Sequence, residues 1–305
     1  MNRAVPILLA AAIVSTACFG DAHAAQRRGS SRPQARREQP RAGAEARGKA
    51  AVDRCRKALR NDPEDAAAMV CLGDAYAAGR GIAKDEAEAV RMYRAAAERG
   101  SAAGQYALAS RYLVGRGVPR DVAEAARWCR LAAEQGHPPS QSLLAFLYER
   151  GMGVARDDGL AISWSGRAAE GGDIAAQKLL GWRYLEGRGV PRNLSEAASW
   201  YRRAAEAGEA DAQAQLAAMY REGIGVPRDD AQSGAWYARS AQGGSGEGFA
   251  GYGRALLYGH GVRQDVAAAG KWIRKAAERE VPAGLFLMGV LYSYGCTVPH
   301  DDNAA

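Results

Sequence analysis

A glycine pair followed by an arginine recurs along the chain, and glycine-rich loops of this kind can hold phosphate. Two copies are GRGVPRD at 115–121 and GRGVPRN at 187–193. A nucleotide-binding loop follows a strand, and a third glycine opens the next helix. Here Arg120 and Arg192 stand in that third position, and alanine-rich helical sequence precedes each copy. The pattern therefore disfavours a phosphate site.

The other residues that could do chemistry are scattered. His23 lies in the N-terminal segment, and His137, His260 and His300 have no second ligand at the spacing of a metal site. No serine lies in a nucleophile-elbow or S-x-x-K arrangement. We therefore predict no catalytic, metal-binding or cofactor-binding site.

The spacing of the glycines indicates a repeated structural unit. The first glycine of the motif recurs every 36 residues, and a fixed period of 20–50 residues is typical of a solenoid. The second glycine follows two residues later in each copy, except at Thr297. The seven first glycines are Gly79, Gly115, Gly151, Gly187, Gly223, Gly259 and Gly295.

Each repeat is predicted to be a pair of helices. In residues 101–136, Leu108 and Tyr112 share one helical face, and Gly115 ends that helix in a left-handed conformation. Asp121 then caps the second helix. That helix carries one large aromatic residue among alanines, and its outer face carries arginines placed for i, i+4 ion pairs. These predicted pairs are Arg94–Glu98, Arg130–Glu134, Arg202–Glu206 and Arg274–Glu278.

A Leu-Ala-Tyr helix, a G-x-G-V-x-x-D turn and an Ala-Trp helix closing on AAE-x-G together resemble the Sel1-like repeat family, which is related to tetratricopeptide repeats. The resemblance implies an all-α, right-handed α-solenoid of antiparallel helix pairs. It covers 62–305, in six full repeats and a seventh that stops early. Glu280 departs from the pattern, because it replaces the closing glycine of the sixth repeat. Residues 51–61 are predicted to form an N-terminal capping helix.

The N-terminal region predicts export. Residues 1–24 combine Arg3, an apolar run and an AHA site, which is typical of a signal peptide cleaved after Ala24. Lipidation of Cys18 is the alternative. Residues 25–50 lack large apolar side chains and are predicted to form a disordered, arginine-rich linker, since they bury too little surface to fold. The linker is interpreted as a spacer, with weak electrostatic association with the envelope as the alternative.

Composition argues against a nucleic-acid partner. Six of the seven net positive charges fall in residues 26–50, so the repeat region is nearly neutral. No segment outside the signal is apolar enough to span a membrane. The predicted location is the periplasm or the medium, and the partner is a protein or peptide.

Two cysteines are placed to form a disulfide. Cys55 and Cys71 flank the NDPED turn almost symmetrically, so antiparallel helices would bring them side by side. An exported chain meets an oxidising compartment, where disulfides persist. Cys129 is interpreted as a packing residue, and Cys296 as a turn residue.

A partner-binding groove is predicted on the first helix of each repeat. The residue two positions before the tyrosine varies, and by resemblance to tetratricopeptide repeats such positions line the concave groove. Packing of the two aromatic residues at this position between helices is the alternative. The predicted groove residues are Tyr106, Phe146, Arg150, Lys178, Trp182 and Glu186.

These features predict a non-catalytic interaction scaffold of the bacterial envelope. The alternative is a protein that binds or hydrolyses cell-wall peptides or β-lactams, a role connected with cysteine-rich secreted relatives. Those relatives carry a cysteine pair in most repeats, and this chain does not.

The export prediction is tested by N-terminal sequencing of the mature protein. We expect the mature chain to begin at Ala25, because the small residues of the AHA site fit a signal peptidase. A mature chain that begins at a lipidated Cys18 would show that the lipoprotein alternative is right.

Overall fold

The computed structural model describes residues 39–293, and this range holds 14 helices and no strand. Helix α1 spans Gln39–Asn61. The first helices of the repeats are α2 (Ala66–Ala78), α4 (Ala102–Val114), α6 (Pro138–Arg150), α8 (Ile174–Glu186), α10 (Ala210–Glu222), α12 (Gly246–Tyr258) and α14 (Pro282–Ser293). The second helices are α3 (Glu86–Glu98), α5 (Val122–Glu134), α7 (Asp158–Glu170), α9 (Leu194–Glu206), α11 (Asp230–Gln242) and α13 (Val266–Glu278).

The helices form two compact units, the N-terminal unit of residues 39–176 and the C-terminal unit of residues 177–293. Within the N-terminal unit each helix from α1 to α7 packs against the next, and within the C-terminal unit the same holds from α9 to α14. The all-α architecture of antiparallel helix pairs is thus confirmed. The predicted signal peptide, Cys296, His300 and the last residues of the seventh repeat lie outside the described residues.

Each second helix begins at a side-chain cap. The Asp121 carboxylate accepts hydrogen bonds of 3.0 Å from the backbone N–H groups of Ala123 and Glu124. These groups have no partner inside the helix, so the cap satisfies donors that would otherwise be left unpaired. The same position is a cap in every described second helix: Asp85, Asp121, Asp157, Asn193, Asp229 and Asp265.

The two glycines of each turn have different structural reasons. The first, such as Gly115 with φ 72°, ends its helix in the left-handed region that glycine adopts without steric cost. The second, such as Gly117, lies against the first residue of the preceding second helix, where a Cβ atom would overlap a carbonyl oxygen. The glycine and carbonyl pairs are Gly117 with Glu86, Gly153 with Val122, Gly225 with Leu194, and Gly261 with Asp230. The motif therefore joins one repeat to the previous one.

Helix α1 takes the place of a preceding second helix at the start of the stack. Its Gly48 lies against the turn glycine Gly81 of the first repeat, so closely that neither position has room for a Cβ atom. Val52 packs with Leu72 and Ala75 of α2. Through these contacts α1 covers the first repeat.

The start of α1 corrects the prediction of disorder for all of residues 25–50. The helix begins at Gln39 and so extends well beyond the predicted bounds of 51–61. Alanine, glutamate, arginine and lysine favour helix even without large apolar side chains. An i, i+4 ion pair of 3.0 Å between Lys49 and Glu45 adds to this local preference.

Cys55 of α1 and Cys71 of α2 form a disulfide, with Cα atoms 6.3 Å apart. Closing a loop with a sequence separation of 16 contributes about 3 kcal/mol to the free energy of unfolding in the chain-entropy model. Cys129 is fully buried in α5, and burial raises the pKa of its thiol to about 12. That environment fits a packing role for Cys129.

Alanines and the repeated tryptophans fill the space between helices. Trp200 and Trp236 are both only 8% exposed, and the Arg203 guanidinium lies 4.4 Å from the centre of the Trp200 ring. A cation also lies over each of the other repeated tryptophans, three residues after the ring in every case except Trp128, and this contact adds to the burial energy of the rings. These pairs are Arg127–Trp128, Arg167–Trp164, Arg203–Trp200, Arg239–Trp236 and Lys275–Trp272.

The arginines predicted to form i, i+4 ion pairs make a different contact. Three of the four donate a hydrogen bond to the hydroxyl of the tyrosine in the next repeat, so the bond connects neighbouring repeats. The bonds are Arg94 to Tyr112 at 2.7 Å, Arg130 to Tyr148 at 3.2 Å and Arg202 to Tyr220 at 2.9 Å. These arginines thus link repeats.

Glu280 adopts a left-handed conformation, with φ 56°, where the other repeats have their closing glycine. It is the one non-glycine residue with positive φ in the described part of the chain. A side chain in this region costs about 1–2 kcal/mol, so the backbone between α13 and α14 is strained.

Candidate functional site

The first helices present a face that varies from repeat to repeat, here called the first-helix face. It is defined by the position two residues before the tyrosine. In the N-terminal unit this position holds Asp74, Ser110 and Phe146, and in the C-terminal unit it holds Trp182, Ala218, Arg254 and Val290. Phe146 is 40% exposed and Trp182 is 37% exposed, whereas the repeated leucines Leu108 and Leu144 are fully buried. These exposures favour a surface role for the two aromatic rings over packing between helices.

The N-terminal unit contains three of the predicted groove residues. The Tyr106 ring lies 5.4 Å from the His137 ring, measured between centroids. The Arg150 guanidinium lies 5.8 Å from the centre of the Phe146 ring. These two contacts are separate, and each gives one aromatic ring a polar neighbour.

The C-terminal unit contains the other three. The ammonium group of Lys178 forms a 2.7 Å ion pair with Glu209, so its charge is already partnered. The Arg188 guanidinium lies 4.9 Å from the centre of the Trp182 ring. Glu186 is exposed. Burial raises the pKa of Tyr201 to about 12, and the negative charge of Glu186 adds to this rise.

A cavity of about 600 Å³, here called the N-terminal cavity, opens on the first-helix face of the N-terminal unit. Asp74, Tyr106 and Ser110 line it, and Tyr93 of the second helix α3 forms its floor. The Tyr93 hydroxyl donates a 2.7 Å hydrogen bond to Asp74. Burial, followed by this bond, raises the pKa of Tyr93 to about 12, so the hydroxyl stays protonated at neutral pH.

A second cavity, of about 300 Å³, opens at the equivalent positions four repeats further along, in the C-terminal unit. Its floor is Tyr237, and Ala218 and Arg254 occupy the variable positions. Arg221 donates a 3.0 Å hydrogen bond to the Tyr237 hydroxyl. The repeat architecture thus places a recess of the same construction, with different side chains, in each unit.

The turn residue between the two glycines also reaches this face, and the sequence analysis missed it. Arg116 lines the N-terminal cavity, and Arg80 lines a smaller recess that adjoins it. Arg188 contacts Trp182 in the C-terminal unit. The signal was present in the sequence, because this residue varies between two glycines that do not: Arg80, Arg116, Met152, Arg188, Ile224 and His260.

Within residues 39–293, no three His, Cys, Asp or Glu side chains come together as a metal site would require. His137 contacts the hydroxyl of Ser140 at 2.8 Å, and burial lowers the pKa of its imidazole. None of the described helices is both long and apolar enough to cross a membrane.

A family model described as the Sel1 repeat matches most of the chain, at residues 65–101, 102–137, 138–173, 174–209, 210–245, 250–281 and 282–305. No curated protein matches this chain. The crystal structure of c5321, a protective antigen of uropathogenic Escherichia coli strains with an SLR fold, is similar at 36% identity and a TM-score of 0.71. That match covers 80% of this chain and 52% of c5321, so the chain spans about half the length of that relative.

A Sel1 repeat protein from Oxalobacter formigenes is also similar in structure, at 33% identity and a TM-score of 0.65. The match covers 72% of this chain and 90% of that protein. Both relatives are helical repeat proteins of the kind that the 36-residue period predicted.

Replacing Trp182 with alanine tests whether its ring belongs to a binding surface. We expect the free energy of unfolding to fall by less than about 2 kcal/mol, because the ring is partly exposed. Replacing the buried Trp200 with alanine, as a matched control, should cost about 3–5 kcal/mol. Urea unfolding followed by circular dichroism measures both. Equal losses in the two variants would show that Trp182 is a packing residue.

Proposed function

Because the chain belongs to the Sel1 repeat family, we propose that it is an exported, non-catalytic adaptor that binds a protein or peptide on its first-helix face. Stacked helix pairs present an extended surface whose residues can change without disturbing the core. The fold is typical of protein–protein interaction scaffolds, and the precise role follows from the residues on that surface.

The observation that carries this proposal is the partial exposure of Phe146 and Trp182 at the variable position. The first five repeats commit a leucine, an alanine or glycine, and a tyrosine of the first helix to packing, whereas the variable position is free to specify a partner. Aromatic rings with adjacent arginines are the side chains enriched in binding hot spots. Arg150 beside Phe146 and Arg188 beside Trp182 supply that combination in the two units.

Two further observations support export to the cell envelope. The disulfide between Cys55 and Cys71 suits an oxidising compartment. The similar Escherichia coli protein is described as a protective antigen. The arginine-rich linker would then act as the spacer between the cleavage site and the folded repeats, with any envelope contact being electrostatic and weak.

Action on cell-wall peptides or β-lactams remains the competing function. The sole cysteine in residues 39–293 outside the disulfide is Cys129, which is fully buried. Burial raises the pKa of that thiol, which keeps it protonated and unreactive. The chemistry that a hydrolase would need is therefore not supplied by this cysteine.

Site-specific photo-crosslinking in the producing cell tests the proposal. A photoreactive phenylalanine analogue is placed at Phe146, which is 40% exposed, or at Leu131, which is 39% exposed on the second helix α5. We expect one discrete protein adduct from position 146 and none from position 131, because the partner contacts only the first-helix face.

Mass spectrometry identifies the adduct, and its position in the envelope fraction checks export. Equal crosslinking at both positions, or none at position 146, would contradict the adaptor function. Turnover of a muropeptide or a β-lactam by the purified protein would establish the competing function instead.

A further inference from the structure

The N-terminal cavity continues into a basic recess at the edge of the first-helix face. The cavity and the recess form one continuous depression, because both are lined by Tyr93, Asp74, Arg111 and Arg116. The recess of about 200 Å³ adds Arg80, Lys84 and Glu86 to its walls. One end of the depression is therefore apolar and aromatic, and the other is charged.

The carboxylates in the depression already have partners. Asp74 accepts the Tyr93 hydroxyl at 2.7 Å. Glu86 pairs with Lys84 at 3.0 Å and with Arg111 at 2.8 Å. A hydrogen bond from Lys84 and the nearby guanidinium groups hold the pKa of Glu86 below its ordinary value, so it stays ionised.

Two guanidinium groups at the charged end have no ion-pair partner among the described residues. Arg80 and Arg116 are exposed, and neither forms an ion pair with another side chain in residues 39–293. The four cations against two carboxylates give the charged end a net charge of +2. Fixed guanidinium groups bind carboxylates through charge-assisted, often bidentate hydrogen bonds.

The apolar end suits an aliphatic side chain. Val70, Ala107 and Tyr106 line it, and the centroid of the His137 ring lies 5.4 Å from that of the Tyr106 ring. Burial lowers the pKa of His137, so this wall carries no charge at neutral pH. A volume of about 600 Å³ is within the range of pockets that hold small ligands and peptide side chains.

We propose that this depression binds an acidic peptide segment in which one aliphatic residue is followed by two carboxylate side chains. The aliphatic side chain lies against the wall that Tyr106 and His137 form together, and the two carboxylates pair with Arg80 and Arg116. This inference rests on the proposed function, because it specifies the chemistry of the partner that the first-helix face would bind.

Fluorescence polarisation with labelled peptides tests this chemistry on the mature chain. The probes are Gly-Ser-Leu-Asp-Glu-Ser-Gly, its amide twin Gly-Ser-Leu-Asn-Gln-Ser-Gly, and a third peptide with alanine in place of leucine. We expect the acidic peptide to bind about tenfold or more tightly than the amide twin, because only carboxylates pair with the two arginines. The alanine peptide should bind more weakly than the leucine peptide.

Three variants locate the binding site. Arg80→Gln and Arg116→Gln should each weaken binding of the acidic peptide about three- to tenfold. Tyr106→Ala should weaken binding of the leucine peptide more than that of the alanine peptide. The matched control is Arg91→Gln on the second helix α3, whose side chain is 73% exposed and pairs with Glu88. This change removes the same charge and should leave binding unaltered.

Equal binding of the acidic and amide peptides would overturn the inference, as would an equal loss in Arg91→Gln and Arg116→Gln. If a protein is crosslinked at position 146 and the acidic peptide does not bind, the adaptor function stands and this inference fails. If the acidic peptide binds as expected and no protein is crosslinked at position 146, the binding chemistry of the depression stands and the proposed adaptor role in the cell fails.

Discussion

The contact between the second turn glycine of one repeat and the first carbonyl of the preceding second helix leaves no room for a Cβ atom. It recurs at Gly117, Gly153, Gly225 and Gly261, and each of these glycines also has positive φ. Close approach at this point lets small alanines and one tryptophan per repeat fill the remaining space between helices. The motif that resembled a phosphate loop is thus a close packing contact between neighbouring repeats.

Because the repeats pack through this glycine contact, the residues that are needed for folding differ from those that are free to vary. The capping aspartates, turn glycines and inward-facing leucines and alanines are all committed to the stack. The position two before the tyrosine and the residue between the two glycines are not, and both lie on the first-helix face. Substitution at these two positions can therefore change the first-helix face while the packing stays the same.

The sequence predicted most of the fold because its signals are local and repeated. A cap such as Asp121 and a left-handed glycine such as Gly115 each act within one turn of chain. The partner of Arg94 was not predictable in this way, because Tyr112 lies across a joint and competes with a glutamate four residues away. The early start of α1 was also missed, since helix propensity and the contact of Gly48 with Gly81 outweigh the lack of large apolar residues in 39–50. For the candidate site, variability marked Trp182, but only the structure revealed its exposure and the reach of Arg116 into a cavity.

Two alanine substitutions of glycines with positive φ measure the joint most directly. Gly208 has φ 93° and open space where a Cβ atom would lie, whereas a Cβ atom on Gly225, with φ 69°, would overlap the Leu194 carbonyl. Gly208→Ala should lower the free energy of unfolding by about 1–2 kcal/mol, the cost of the left-handed conformation alone. Gly225→Ala should cost at least about 2 kcal/mol more, because the two repeats must move apart and lose packing. Equal losses in urea unfolding would contradict the account, because they would show that backbone conformation alone requires glycine in the turn.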